Sequence, residues 1–334
     1  MPTPPQRIHG GPDAFGAPRF DFSTNSNACG PCPVAMAAVK NADASRYPDA
    51  SYSALRQQLA AFHGVSVQRV VLAASASEFI FRITAMVAGR RGANVSSVWL
   101  PRHSYGDYAH AAAAHGLTVV TDPRHASLYW ACEPSSPLGA AHEDWQGSDD
   151  AVRVIDRAYE PLRLSGQLTL PESRLSAFWQ LYSPNKALGL TGVRAAYAIA
   201  PLHAENHVLA MEQLCPSWPI GAHGVAMLQA WVQPDAQSWL AGSLDTLRDW
   251  KAQQLALCES FGWTVLSGDA NYFVCRSGQG AEALNELRIH GIKLRDCASF
   301  GLPGHVRLSV QPPAAQEALA TAWQDLIQKN YYGQ

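Results

Sequence analysis

The sequence predicts an α/β fold, with a large domain on a mostly parallel, doubly wound sheet followed by a smaller α+β domain. Three observations carry this. From residue 69 the run Arg69-Val70-Val71-Leu72-Ala73 is apolar and of strand length, Ser75-Ala76-Ser77 is a polar turn, and residues 78–88 read as a helix, which makes a strand–turn–helix unit. Short apolar runs then recur, separated by helices or turns, at the spacing of βα units rather than of hairpins. After Pro234 the pattern changes to one long helix and a few further strands.

Taken in order, residues 1–35 are polar and turn-rich and form an arm with no strand or helix of its own, packed across the domains or on a partner subunit. SYSALRQQLAAFHG places Leu55, Leu59 and Phe62 on one helical face, with Ser51 as cap and Gly64 as stop. Strands are predicted over 69–73, 98–100, 117–120, 128–131 and 152–155, with two more around 178–181 and 195–199. The long helix covers 238–261, and strands follow near 272–274 and 306–308. The division is thus an arm over 1–35, a large domain over 36–234 and a small domain over 235–334.

Composition narrows the function. The 25 basic and 27 acidic residues nearly cancel, leaving a formal charge of -2 and no electrostatic footprint for nucleic acid or an anionic membrane. No apolar run has membrane-spanning length, and the start MPTPPQRIHGG lacks a secretory pattern, so a cytoplasmic protein is expected. Seven scattered cysteines read as reduced thiols.

The most informative stretch is Ser183-Pro184-Asn185-Lys186-Ala187-Leu188-Gly189-Leu190-Thr191-Gly192-Val193-Arg194, set between two predicted strands. A lysine in such a turn, flanked by apolar residues, can be desolvated enough to lose its proton and attack an aldehyde. The Ser183 hydroxyl and the Arg194 guanidinium can reach one phosphate group. A surface turn with an incidental lysine is the plain alternative, and the combination of Ser, Lys and Arg in a Gly-punctuated loop argues against it.

This loop resembles the Schiff-base loop of fold-type I enzymes that use pyridoxal 5′-phosphate (PLP), the class I/II aminotransferase superfamily. The resemblance implies that Lys186 carries the cofactor and that Asp156, in Val154-Ile155-Asp156-Arg157-Ala158-Tyr159, holds its pyridine nitrogen, with Tyr159 near the phenolic oxygen. It further implies that Ser75, Ala76 and Ser77 cradle the phosphate at a helix N-terminus, with Ser183 and Arg194, and that Tyr105 stacks on the ring. Tyr47, in Arg46-Tyr47-Pro48-Asp49, matches a tyrosine that reaches the neighbouring subunit's phosphate, which implies a homodimer.

The segments HGG, DFSTNSN, RYPDASY and RDCASFGLPGHVRLSV are similar to threonine-phosphate decarboxylases of cobalamin biosynthesis, relatives of histidinol-phosphate aminotransferases. From this, His9, Gly10, Asn27, Arg295 and Arg307 are expected around the carboxylate of a small amino-acid substrate and, where present, its phosphate, with planar guanidinium groups suited to those anionic oxygens. Decarboxylation is the leading expectation, and transamination of an amino acid or of histidinol phosphate is the alternative.

One departure stands out. Ser136 occupies the place of the asparagine that bonds the cofactor's phenolic oxygen, and a hydroxyl reaches less far. Cys29-Gly30-Pro31-Cys32 spells a thioredoxin-like tetrapeptide, which keeps a distant dithiol redox alternative, although polar STNSNA precedes it instead of a strand. His103, His110 and His115 have no metal-ligand spacing, and no metal is expected.

Overall fold

The computed structural model describes residues 9–89 and 96–332. Residues 1–8, the first part of the expected arm, lie outside the described residues. In chain order come β1 (Phe20–Asp21), α1 (Pro33–Lys40), α2 (Ser53–His63), β2 (Val70–Ala73), α3 (Ala76–Ala88), β3 (Ser97–Trp99), α4 (Gly106–Ala114), β4 (Thr118–Val120), β5 (Leu128–Cys132) and β6 (Val152–Asp156). Then follow α5 (Glu172–Leu175), β7 (Trp179–Tyr182), β8 (Ala196–Ile199), α6 (Glu205–Gln213), α7 (Ala222–Trp231) and α8 (Pro234–Ser260). The chain closes with β9 (Thr264–Leu266), β10 (Tyr272–Arg276), α9 (Ala281–Ile289), β11 (Ile292–Lys293), β12 (Arg295–Asp296), β13 (His305–Ser309) and α10 (Pro313–Tyr332).

The large sheet has seven strands in the order β2-β8-β7-β6-β5-β3-β4. Every neighbouring pair is parallel except those of β8, which runs against both β2 and β7. The sheet is therefore mostly parallel, as predicted. Its strands are apolar without alternation because both faces are covered: Val70 and Leu72 pack with α2, α7 and α8, while Val71 and Ala73 pack with α3, α4 and α6. A second sheet, β12-β13-β10-β9, is antiparallel and belongs to the smaller core under α9 and α10.

Helix α8 joins the two cores. Leu240 and Leu247 pack in the large core, whereas Cys258 belongs to the small one. One helix thus contributes side chains to both cores.

Three local expectations change. The arm does carry a strand: β1 pairs in parallel with β11, Phe20 opposite Ile292 and Asp21 opposite Lys293, which ties the arm to the small domain. Ser51 does not cap α2. The Asp49 carboxylate instead takes the first amide of the helix, accepting from Ser53 N–H at 2.6 Å, while its other oxygen accepts from Ser51 N–H in the preceding turn at 3.0 Å. Phe62 leaves the buried face of α2 and is 39% exposed, edge-on to Trp231. Gly64 ends that helix with a left-handed φ of 62°, as its sequence position predicts.

Among the described residues no helix is long and apolar enough to cross a membrane, and no cluster of His, Cys, Asp or Glu has metal-binding geometry.

Candidate active site

The parallel strands deliver their C-terminal ends to one edge of the sheet, where the connecting loops form a crevice. Asp156 ends β6, the Ser183–Arg194 loop leaves β7, the Glu133–Gly139 turn leaves β5, and the α3 N-terminus follows β2. A cavity of about 440 Å³ opens there, lined by Lys186 and by residues of both domains and the arm.

The lysine loop is built tightly. Leu188 N–H donates to the Pro184 carbonyl at 2.9 Å and Leu190 N–H to the Asn185 carbonyl at 2.7 Å. Gly189 has φ +67°, and a Cβ there would stand 3.0 Å from Pro31 Cα, so both conformation and space demand glycine. Lys186 Nζ donates to Ser183 Oγ at 3.3 Å and lies 5.3 Å from the Tyr159 ring centroid.

Burial pushes the Lys186 ammonium below its ordinary range, and the nearby Asp156 charge opposes that shift. Burial likewise pushes the Asp156 carboxyl up, against Lys186 and the hydrogen bonds it accepts from Tyr108 Oη at 2.7 Å and Ala158 N–H at 2.9 Å. Desolvation thus drives both groups toward their neutral forms. A buried lysine shifted this way supplies the unprotonated amine that nucleophilic attack requires.

Two arginines form the opposite wall. Arg295 and Arg307 are direct partners across β12 and β13. Arg295 donates to Ser299 Oγ at 2.8 Å and to the Asp296 carbonyl at 2.6 Å, and its guanidinium lies 4.7 Å from the Phe300 ring centroid. Arg307 Nη2 donates to the Ser23 carbonyl at 3.1 Å, while its buried Nε meets no acceptor among the described residues. No acidic side chain among them pairs with Arg307. A buried guanidinium without an acidic partner is suited to an anionic group of a ligand, carboxylate or phosphate.

Other expected residues fall around this cavity in different ways. His9, Gly10, Tyr105, Ser136 and Tyr159 line it. Gly10 packs on the arm so closely that a Cβ would lie 2.2 Å from the Ser23 carbonyl oxygen. Ser77 Oγ bonds Tyr105 Oη at 3.2 Å, and Ser75 Oγ caps α3 by accepting from Glu78 N–H at 3.1 Å. That leaves the first amides of α3, beginning with Ala76 and Ser77, without intrahelical partners.

Three expected residues sit elsewhere. Asn27 faces away from the cavity, donating through Nδ2 to the Ala187 carbonyl at 3.1 Å and to Ser243 Oγ at 2.8 Å, so it braces the lysine loop from behind. Arg194 is exposed beside the loop, with Nη1 3.4 Å from the Thr191 carbonyl. Tyr47 is 78% exposed on the surface, stacked 4.5 Å from Trp218.

The sequence pattern left unmarked several residues that line the cavity, notably Ser23, Asn25, Asp107 and Phe300. Asn25 Nδ2 lies 3.4 Å from Tyr159 Oη, whereas the expectation fell on Asn27, two residues on. A tight turn, in which Ser26 N–H donates to the Thr24 carbonyl at 2.9 Å, redirects the chain between them. The density of Asn and Ser in this segment was the available signal for such a turn.

The Cys29–Cys32 segment packs its glycine and proline against Gly189, and Cys32 is fully buried. Burial pushes the Cys29 thiol up, which is the reverse of what a reactive dithiol needs.

Comparison with known proteins agrees with this geometry. The family model "Aminotransferase class I and II" matches residues 18–136 and 130–324. The chain is 27% identical over 324 residues to histidinol-phosphate aminotransferase 1 of Thiobacillus denitrificans, covering 86% of this chain and 80% of that one. It is 25% identical over 341 residues to the threonine-phosphate decarboxylase of Salmonella typhimurium, covering 92% and 91%. In fold it is similar to the crystal structure of histidinol-phosphate aminotransferase from Sinorhizobium meliloti in complex with pyridoxal-5′-phosphate, with a TM-score of 0.76, 20% identity and coverage of 92% and 90%. With the family model matching nearly the whole sequence, and with a buried lysine where the sheet's loops converge, the chain belongs to the class I and II aminotransferase family.

Proposed function

We propose that this enzyme transfers the amino group of a small amine or amino acid carrying an anionic group, with histidinol phosphate as the type of substrate. The cofactor is pyridoxal 5′-phosphate, in keeping with the family and with the cofactor named in the similar Sinorhizobium meliloti structure. The residues present fit it: a buried amine at Lys186, a buried carboxylate at Asp156 for a ring nitrogen, and amides without intrahelical partners at the α3 N-terminus for a phosphate. Tyr159, Tyr105, Ser136, Ser77 and Ser183 would complete its surroundings. Bound there, the cofactor supplies an electron sink for charge that develops at the substrate's amine carbon.

The protein's own part is binding and proton handling. Lys186 Nζ, low in proton affinity through burial, can accept a proton at the amine carbon and return it elsewhere. The hydrogen bond from Tyr108 favours the charged form of Asp156, which would hold the cofactor's ring nitrogen. Arg307 and Arg295 hold the substrate's anionic oxygens, and Asn25 and His9 narrow the space beside them. Tyr47, exposed and stacked on Trp218, reaches a second copy of the chain in a homodimer.

The observation that carries this reading is the buried Arg307, which has no carboxylate partner among the described residues, in one cavity with the buried amine of Lys186. Transamination is favoured over the decarboxylation first expected because most of the similar curated proteins are histidinol-phosphate aminotransferases. Threonine-phosphate decarboxylation is the second reading, favoured by the HGG and RYPDASY segments and by the Salmonella relative.

Holoenzyme incubated with histidinol phosphate and a keto acid should exchange the amino group, without carbon dioxide release from threonine phosphate. Carbon dioxide release without amine exchange establishes the second reading. Turnover of neither compound rejects the substrate class.

A further inference from the structure

His103 lies on the large domain in the loop that follows β3, two residues before Tyr105. Its Nδ1 is 2.7 Å from the carbonyl oxygen of Phe300, on the small domain. A carbonyl only accepts, so Nδ1 carries the proton and donates, in either the neutral or the charged ring. The hydrogen bond therefore needs one tautomer but not one charge state.

What His103 grips is the turn that shapes the arginine wall. Residues 297–302 form a compact knot: Phe300 N–H donates to the Cys297 carbonyl at 2.9 Å, Gly301 N–H to the Ala298 carbonyl at 2.9 Å, and Leu302 N–H to the Cys297 carbonyl at 3.1 Å. Ser299 of this turn receives Arg295 Nη2 at 2.8 Å, and the Phe300 ring lies 4.7 Å from the Arg295 guanidinium and 5.7 Å from that of Arg307. Gly301, with φ +77°, lets the turn close, and a Cβ there would already stand 3.6 Å from His103 Nδ1.

Tyr105, two residues after His103, bonds Ser77 and lines the same cavity as Phe300. One hydrogen bond thus joins the wall that carries Tyr105 to the wall that carries the arginines. Other bonds between the domains involve different segments: Tyr272 Oη donates to the Ser135 carbonyl and Leu164 N–H to the Asp269 carbonyl. The His103 bond is thus a separate point of attachment for the Phe300 turn.

We propose that His103 is a positioning residue that clamps the Phe300 turn across the cavity, holding Arg295 and Arg307 at the spacing a substrate anion requires. The inference rests on the proposed role of the two arginines in binding substrate. Loss of the clamp weakens anion capture while the proton-handling groups, Lys186 and Asp156, stay in place. The effect therefore falls on KM and not on kcat.

Asparagine separates donor from bulk, because its amide nitrogen can occupy the place of Nδ1, whereas phenylalanine keeps the ring volume without a donor. Holoenzymes of the wild type, His103→Asn and His103→Phe would be compared by steady-state kinetics with whichever of histidinol phosphate or threonine phosphate the wild type turns over. Hydrogen exchange of the peptide covering residues 296–302 is followed in the same proteins. The phenylalanine variant should bind PLP as the wild type does, show KM raised about tenfold, the equivalent of one hydrogen bond, with kcat within about twofold, and exchange faster in that peptide. The asparagine variant should restore both readouts. Unchanged exchange in His103→Phe, equal loss in the two variants, or a fall in kcat at constant KM overturns the clamp. Should the wild type process neither substrate, the substrate reading fails, and the exchange comparison alone still decides whether His103 holds the turn.

Discussion

Tyr108 Oη donates to Asp156 Oδ2 across 2.7 Å where both residues are buried, and Tyr108 stacks on Trp130 at 4.3 Å. The pair links the interior of α4 to the end of β6. Its consequence is electrostatic, because the hydroxyl stabilises the charged form of a carboxylate that burial otherwise pushes toward neutrality.

Tyr108→Phe removes that donor with little change of shape. A hydrogen bond to a charged group contributes about 1.5–3 kcal/mol, so PLP should dissociate roughly 10- to 100-fold more readily, as read by titration of the apoenzyme with cofactor. Affinity equal to the wild type would show that Asp156 does not hold the cofactor through its charge.

Arg307→Lys keeps the charge and loses the planar fork. KM for the anionic substrate should rise about 10- to 100-fold, with a smaller change in kcat, since a point charge cannot reproduce bidentate geometry. Steady-state kinetics checks this, and a lysine variant with wild-type KM contradicts a direct role for Arg307 in binding.

Gly10→Ala tests the arm. The added Cβ would meet the Ser23 carbonyl, the same oxygen that receives Arg307 Nη2, so the arm must shift by tenths of an ångström or more. Overpacking of this kind costs about 1–3 kcal/mol, and kcat/KM should fall at least tenfold while the far-ultraviolet circular dichroism spectrum is unchanged. Full activity would mean that the arm is not part of the site.

Lys251 gives a pH signature remote from the cavity. Its Nζ donates to the carbonyls of Gly268 at 2.6 Å and Ala270 at 2.9 Å, and burial lowers its pKa to about 8 from an ordinary 10.5. Between those values the unfolded chain binds more protons than the folded one, so this group makes stability rise with pH; below the lower value its contribution is constant. Urea unfolding at pH 8 and pH 10 should show a more positive pH slope in the wild type than in Lys251→Met. Equal slopes would show that Lys251 does not titrate abnormally.

Much of this was legible because local pattern and tertiary role coincide. Val70-Val71-Leu72-Ala73 reads as a buried strand since both of its faces are covered, and Gly64 stops α2 because the backbone needs a left-handed residue there. The two-residue β1 escaped notice: Phe20 and Asp21 have no pattern of their own and form a strand only against Ile292 and Lys293. Asn25 and Asn27 are chemically the same, and only the turn between them decides which one meets the cavity. His103 carries no signal in sequence, since its partner is a backbone carbonyl almost two hundred positions away.

The account depends above all on Lys186 as the residue that holds PLP. Borohydride reduction of the purified, PLP-loaded enzyme, followed by proteolysis and mass analysis, locates the lysine to which the cofactor is fixed. The label is predicted on the peptide containing Lys186, with Lys186→Ala colourless and unlabelled. A label on another lysine, or a wild type that takes up no PLP, would contradict the account.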